Sequence, residues 1–181
     1  MQNASWSDSL VNRMLGAAKL DVPTYEAIER DEDATLQAFV VVVLVAAASG
    51  LGLLFVDGVS GLFGGIARAI FSWIIFAMVA YVVGTKLIPD TNTRTSPDEL
   101  MRTTGFAQTP GLLGIFAFIP ILGPVIVLVA FVWSIVAVGV ALRQALDTST
   151  GRTIGIALLS LFVILIVSVF FAAIGLSVMA L

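Results

Sequence analysis

The sequence predicts an all-α polytopic membrane protein: a bundle of five transmembrane helices preceded by an amphipathic N-terminal cytoplasmic segment. Three observations carry this expectation. Of 181 residues, 59% are hydrophobic and only 12% charged, with a mean hydropathy of +1.08, a balance far from that of a water-soluble domain. The uncharged runs are long enough for crossings, because a helix needs roughly 20 apolar residues to span about 30 Å of hydrocarbon. Finally, the basic residues fall on alternate connections, as they do when a chain threads back and forth across a bilayer.

The leader, residues 1–33, comes first. In "SWSDSLVNRMLGAAKL", Trp6, Leu10, Met14 and Ala17 share one helical stripe, with Val11, Leu15 and Ala18 beside it. Two readings stay open: a helix lying in the membrane interface, or a segment packed against the loops of its own domain. An acidic cluster follows, Asp21, Glu26, Glu29, Asp31, Glu32 and Asp33, which argues against nucleic acid as a partner. Some thirty residues precede the first apolar run, so the leader does not read as a signal peptide.

The membrane domain, residues 34–181, divides by length and turn chemistry into spans at about 34–56, 61–83, 103–119, 123–142 and 153–178. "DGVSG" at 57–61 reads as the turn between the first two. The polar connection at 86–102 holds Pro89, Asp90, Asn92 and Pro97, all turn formers. Residues 103–142 run about forty positions without a charge, with "PILGP" at 120–124 near the middle, which fits two spans joined by a proline-bounded turn. The last run is longer than one crossing needs and can tilt or project.

Eight of the nine Lys and Arg residues lie on one side of this arrangement, in the leader and in the second-to-third and fourth-to-fifth connections; Arg68 is the exception, inside a span. The positive-inside rule then places the amino terminus in the cytoplasm and the carboxyl terminus outside. An even number of spans breaks the alternation.

Most catalytic chemistry lacks its residues. With no cysteine and no histidine, the chain has no thiolate, no imidazole base and none of the usual zinc, haem or iron-sulfur ligands. Serines in the apolar runs have no histidine or in-span lysine to activate them. No enzyme activity, cofactor or metal is expected.

What polar and small residues the apolar body does contain are candidates for contact. Arg68, the single charge within a span, has three readings: it snorkels to the headgroups, pairs with Asp57 across the turn, or holds a substrate or lipid phosphate. Gly61/Gly65 and Gly151/Gly155 are GxxxG pairs and Ala141/Ala145 a small-residue pair, suited either to packing within the bundle or to a dimer face. "SPDE" at 96–99 is a capping box that starts the third helix in water. From there "LMRTTGFAQTPGLL" carries Gln108, Thr109 and Pro110 into the bilayer. Pro110 cannot donate to the Phe106 carbonyl, so a kink is expected, with an acceptor left for a neighbouring helix.

Here the sequence resembles a family. "ELMRTTGFAQTPGLLGIFAFIPILG", followed by "VWSIVAVGVALRQALDTSTGRTI", is similar to the Yip family, membrane proteins named for interaction with Ypt/Rab GTPases and present in prokaryotes. The resemblance lies in a capped polar start, an Arg-x-x-Gly-aromatic-Ala-x-x-Pro stretch, a proline-bounded hairpin, a Trp-bearing fourth span and a short basic loop. It implies five spans, a cytoplasmic amino terminus and a role in membrane organisation without enzymatic activity. The Asp-Leu-Tyr-Gly-Pro motif of eukaryotic members is replaced here by "YEAIERDEDATLQAF", so a GTPase partner is not carried over.

The expected function is therefore a non-enzymatic organising or adaptor protein of the bacterial cytoplasmic membrane, acting on a membrane protein partner or as a homo-oligomer within the lipid bilayer. Two alternatives stand beside it. One is an accessory subunit of a respiratory or photosynthetic complex; the other is a small transporter or lipid scramblase using Arg68, Gln108 and the Pro110 kink.

Overall fold

The computed structural model describes residues 6–90, 93 and 95–179, with side chains left undescribed at 55–58, 60, 61, 171 and 173–179. Asn3-Ala4-Ser5, which formally matches a glycosylation sequon, lies outside the described residues, as do Asn92 and Arg94. The described chain is helical. In order come α1 (Trp6–Ala18), α2 (Val22–Arg30), α3 (Ala34–Gly52), α4 (Leu54–Val82) closed by a π-helical turn (Val83–Leu87), α5 (Pro97–Phe106), a 3-10 segment (Thr109–Phe118), α6 (Leu122–Ala145) and α7 (Thr150–Met179).

Local chemistry sets the helix starts. Asp21 caps α2 by accepting from the Thr24 backbone N–H at 3.0 Å, with Pro23 in the first turn. The "SPDE" capping box forms as its pattern predicts. Ser96 Oγ accepts from Glu99 N–H at 3.2 Å, and the Glu99 carboxylate accepts from Ser96 N–H at 3.0 Å.

Four helices among the described residues are long and apolar enough to cross a membrane: Ala34–Gly52, Leu62–Leu87, Leu122–Ala145 and Thr150–Phe170. Two expectations need correction. The break between the first two spans is at Leu53, not at "DGVSG", because α4 continues as helix through 57–61. Asp57 and Arg68 are thus eleven positions apart on one helix, about 16 Å along its axis. The turn across which that pairing is read is therefore absent.

The third expected span is not one α-helix. It divides into α5 and the 3-10 segment, ten residues each. The Pro110 kink is a full break, and the Phe106 carbonyl is satisfied not by a neighbouring helix but by Thr109, whose hydroxyl donates to it at 2.6 Å. A 3-10 run this long is unusual, and close packing explains it. The segment lies against α3 and α6. A Cβ on Gly114 would meet Ser49 Oγ at 2.5 Å, a Cβ on Gly111 would meet Val45 at 2.7 Å, and a Cβ on Gly52 would collide with the Gly114 carbonyl. Glycines and a narrower helix let these backbones approach.

Two apolar clusters hold the bundle. One gathers Val41, Val42, Trp73, Phe106 and Ala137 with leader residues Leu10, Met14, Ala17, Tyr25 and Ile28. The other joins Ala77, Ala80, Val83, Leu100, Leu142 and Leu146 with Ile156 of α7. The chain reverses between the 3-10 segment and α6 at Pro120 and Ile121. Ile121 adopts φ 68° there, a positive φ that crowds a β-branched side chain.

Candidate functional site

The leader is built into the fold. Leu10, Met14 and Ala17, at i, i+4 and i+7, are the buried stripe of α1, while Val11 and Leu15 on its flank are about half exposed. Of the two readings of the leader, the buried stripe realises packing against its own domain, and the exposed flank leaves an apolar edge beside it.

Polar groups fix this docking. Gln37, on the first turn of the first apolar helix, is only 2% exposed. Its Oε1 accepts from Arg13 Nη1 at 2.8 Å, and its Nε2 donates to Ser9 Oγ at 2.7 Å. Arg13 also pairs with Asp31, and this guanidinium holds the Asp31 carboxyl below its ordinary range. Further bonds tie the turn between α1 and α2. Trp133 Nε1 of α6 donates to the Ala18 carbonyl at 2.8 Å, and Tyr25 Oη donates to the Ala17 carbonyl at 3.1 Å. Burial pushes the Tyr25 phenol above its usual pKa.

A second set of contacts joins α2, α3 and α5. Arg102, 5% exposed, donates from Nη2 to the Glu29 carbonyl at 2.6 Å and from Nη1 to Thr35 Oγ1 at 3.4 Å. Its Nε is buried with no partner, and Arg102 forms no ion pair among the described residues. The Glu29 carboxyl is raised to about 7, first by burial, then by the negative charges of Asp147 and Glu99. Arg152, in the first turn of α7, pairs with Asp90 of the loop after α4 at 2.7 Å. These polar contacts gather where the leader faces α3 and α5.

Between the start of α1 and the first turns of α3 runs a groove of about 600 Å³. Trp6, Phe39 and Trp73 line it, Glu32 and Asp33 stand at its polar end, and Leu36 lies below them. Trp73 is anchored by an Nε1 bond to the Met101 carbonyl at 3.2 Å.

The residues singled out from sequence do not converge on this face. Arg68 is exposed on α4, and Gln108 is partly buried where α5 gives way to the 3-10 segment. Neither lines the groove or the polar cavity of similar volume beside Lys19. Thr109 and Pro110 are buried and structural. Gly65, Gly151 and Gly155 would meet nothing within 4 Å if given a Cβ, so they are not close-packing positions of this bundle; the surroundings of Gly61 lie outside the described residues. Ala141 and Ala145 are fully buried.

Sequence reasoning missed Gln37 and Arg102. A lone amide in "ATLQAFVVVV" was the available signal, since an unpaired amide there is costly. Arg102 was legible only as a loop charge; nothing local in sequence placed the Glu29 carbonyl above it.

No curated protein and no solved structure matches the chain. The family model described as the Yip1 domain matches residues 21–172, from the cap of α2 through most of α7, and the chain belongs to that family of integral membrane proteins.

Proposed function

We propose that the protein is a non-enzymatic organising or adaptor protein of the Yip type, presenting its docked leader as a fixed surface to a membrane protein partner or to a second copy. One observation carries this reading: the Gln37–Arg13–Asp31 and Arg102–Glu29 contacts integrate the leader with the membrane helices. A tether would not need a buried amide and a buried guanidinium to hold it in place. The Yip1 family is not known for enzymatic activity, and the outward Gly65, Gly151 and Gly155 leave helix faces open to close contact with another helix.

In this proposal the chain crosses the membrane five times. The end of α5 from Thr103, the turn at 107–108 and the 3-10 segment together form a broken third crossing, because six residues at 1.5 Å and ten at about 2 Å make about 29 Å. Odd parity keeps the leader, Lys86, Arg102, Arg143 and Arg152 on the cytoplasmic side of a bacterial membrane. Arg68, fifteen residues past the break at Leu53, lies exposed along the apolar length of α4. Purification in mild detergent tests the function: a stoichiometric partner or a homo-oligomer is expected, and a monodisperse monomer with no partner contradicts it.

A further inference from the structure

The groove beside Trp6 has a chemistry that the adaptor reading does not use. Its polar end carries two carboxylates, Glu32 and Asp33, and neither side chain enters an ion pair among the described residues. They immediately precede Ala34, where the first apolar helix begins, which sets them at headgroup level. From there the groove descends past Leu36, 62% exposed, to Phe39, 39% exposed, with Trp6 and Trp73 beside them. Phe39 lies five residues, about 7 Å, deeper than Ala34.

We propose that this groove binds one phospholipid with an ammonium-bearing, zwitterionic headgroup. The ammonium sits against Glu32 and Asp33 and the faces of the aromatic rings, where Coulomb and cation–π attraction act together. An acyl chain follows Leu36 and Phe39 along the outer surface of α3. The phosphate finds positive potential from Arg102, which bonds Thr35 behind the groove and acts on the Asp31 carboxylate without a close ion pair among the described residues. An anionic headgroup without the ammonium meets two carboxylates and is repelled. A basic peptide from the aqueous phase suits the acids but not the apolar end, which opens on the surface that faces hydrocarbon.

Native mass spectrometry of the full chain, titrated with phosphatidylethanolamine and with phosphatidylglycerol of identical acyl chains, tests this. The expected result is a single lipid adduct on the protein, retained about fivefold more strongly for the ethanolamine lipid. Glu32→Gln and Asp33→Asn, both at exposed positions that cap no helix through their side chains, each reduce that preference. Asp98→Asn, an exposed acid that does not line the groove, leaves it intact, and Phe39→Ala weakens retention of both lipids. Equal retention of the two lipids, or a loss with Asp98→Asn as large as with Glu32→Gln, overturns the proposal. So does a dimer, without lipid, that the groove variants dissociate: the occupant is then a second copy.

Discussion

Replacing Gln37 with Leu should release the leader while leaving the membrane bundle intact. Gln37 accepts a charged hydrogen bond from Arg13 at 2.8 Å, donates to Ser9 at 2.7 Å and reaches the Trp6 carbonyl at a long 3.4 Å. A bond to a charged partner contributes about 2 kcal/mol and a neutral one about 1 kcal/mol, with little from the long contact. Leucine at this buried site returns about 1 kcal/mol of apolar burial, and Arg13 keeps Asp31. The net weakening is about 2 kcal/mol, or about 30-fold in local opening. Hydrogen exchange of the full chain in lipid nanodiscs reads this directly. Amides of residues 6–18 should exchange about 30-fold faster in the variant, with α6 and α7 unchanged. Unaltered exchange in α1, or equal acceleration throughout, refutes the assignment of Gln37 as the anchor.

Other expectations follow from the same geometry. Gly52→Ala drives a methyl into the Gly114 carbonyl and should cost about 1–3 kcal/mol in detergent unfolding, whereas Gly155→Ala, with open space around it, should leave the isolated chain as stable or up to about 1 kcal/mol more stable. Ile121→Gly relieves the positive φ of 68° at a three-residue turn closed by the Leu122 N–H donating to the Pro120 carbonyl at 2.8 Å and should raise thermal stability by about 1 kcal/mol. Glu29, raised to about 7 from an ordinary 4.5, keeps a proton in the folded state that the unfolded chain has released. Stability therefore falls as pH rises from about 4.5 to 7. Glu29→Gln should remove that slope and gain about 1 kcal/mol above pH 7, screening of this half-buried group having reduced the full linkage value; a variant with an unchanged pH profile contradicts the assignment.

Class and family were legible because they rest on quantities that sum over many residues. Hydropathy, run length and basic-residue placement survive local errors, and the stretch "RTTGFAQTPG" carried the resemblance. The capping box at Ser96 was legible because its bonds close within four residues. What failed depended on which of several competing interactions prevails, or on distant partners. "DGVSG" has turn residues, yet α4 begins at Leu54 and passes through it, so propensity yielded to the continuation of the helix. Thr109 could be read as polar but not as the donor to Phe106, because proline chemistry announces a missing N–H without saying what replaces it. Arg102 acquires its role from Glu29, 73 positions earlier, and periodicity holds no record of that approach. The GxxxG pairs show the reverse: their spacing is visible, but whether another helix meets them is a property of the assembly.

The most direct test of the proposed role is site-specific photo-crosslinking in native membranes, with the probe at exposed Leu15 and, as a control, at buried Leu10. The account predicts a single intermolecular adduct from Leu15, to one membrane protein or to a second copy, and only intramolecular products from Leu10. If Leu15 yields no intermolecular adduct, the docked leader is a structural element of a solitary protein and not the surface of an adaptor.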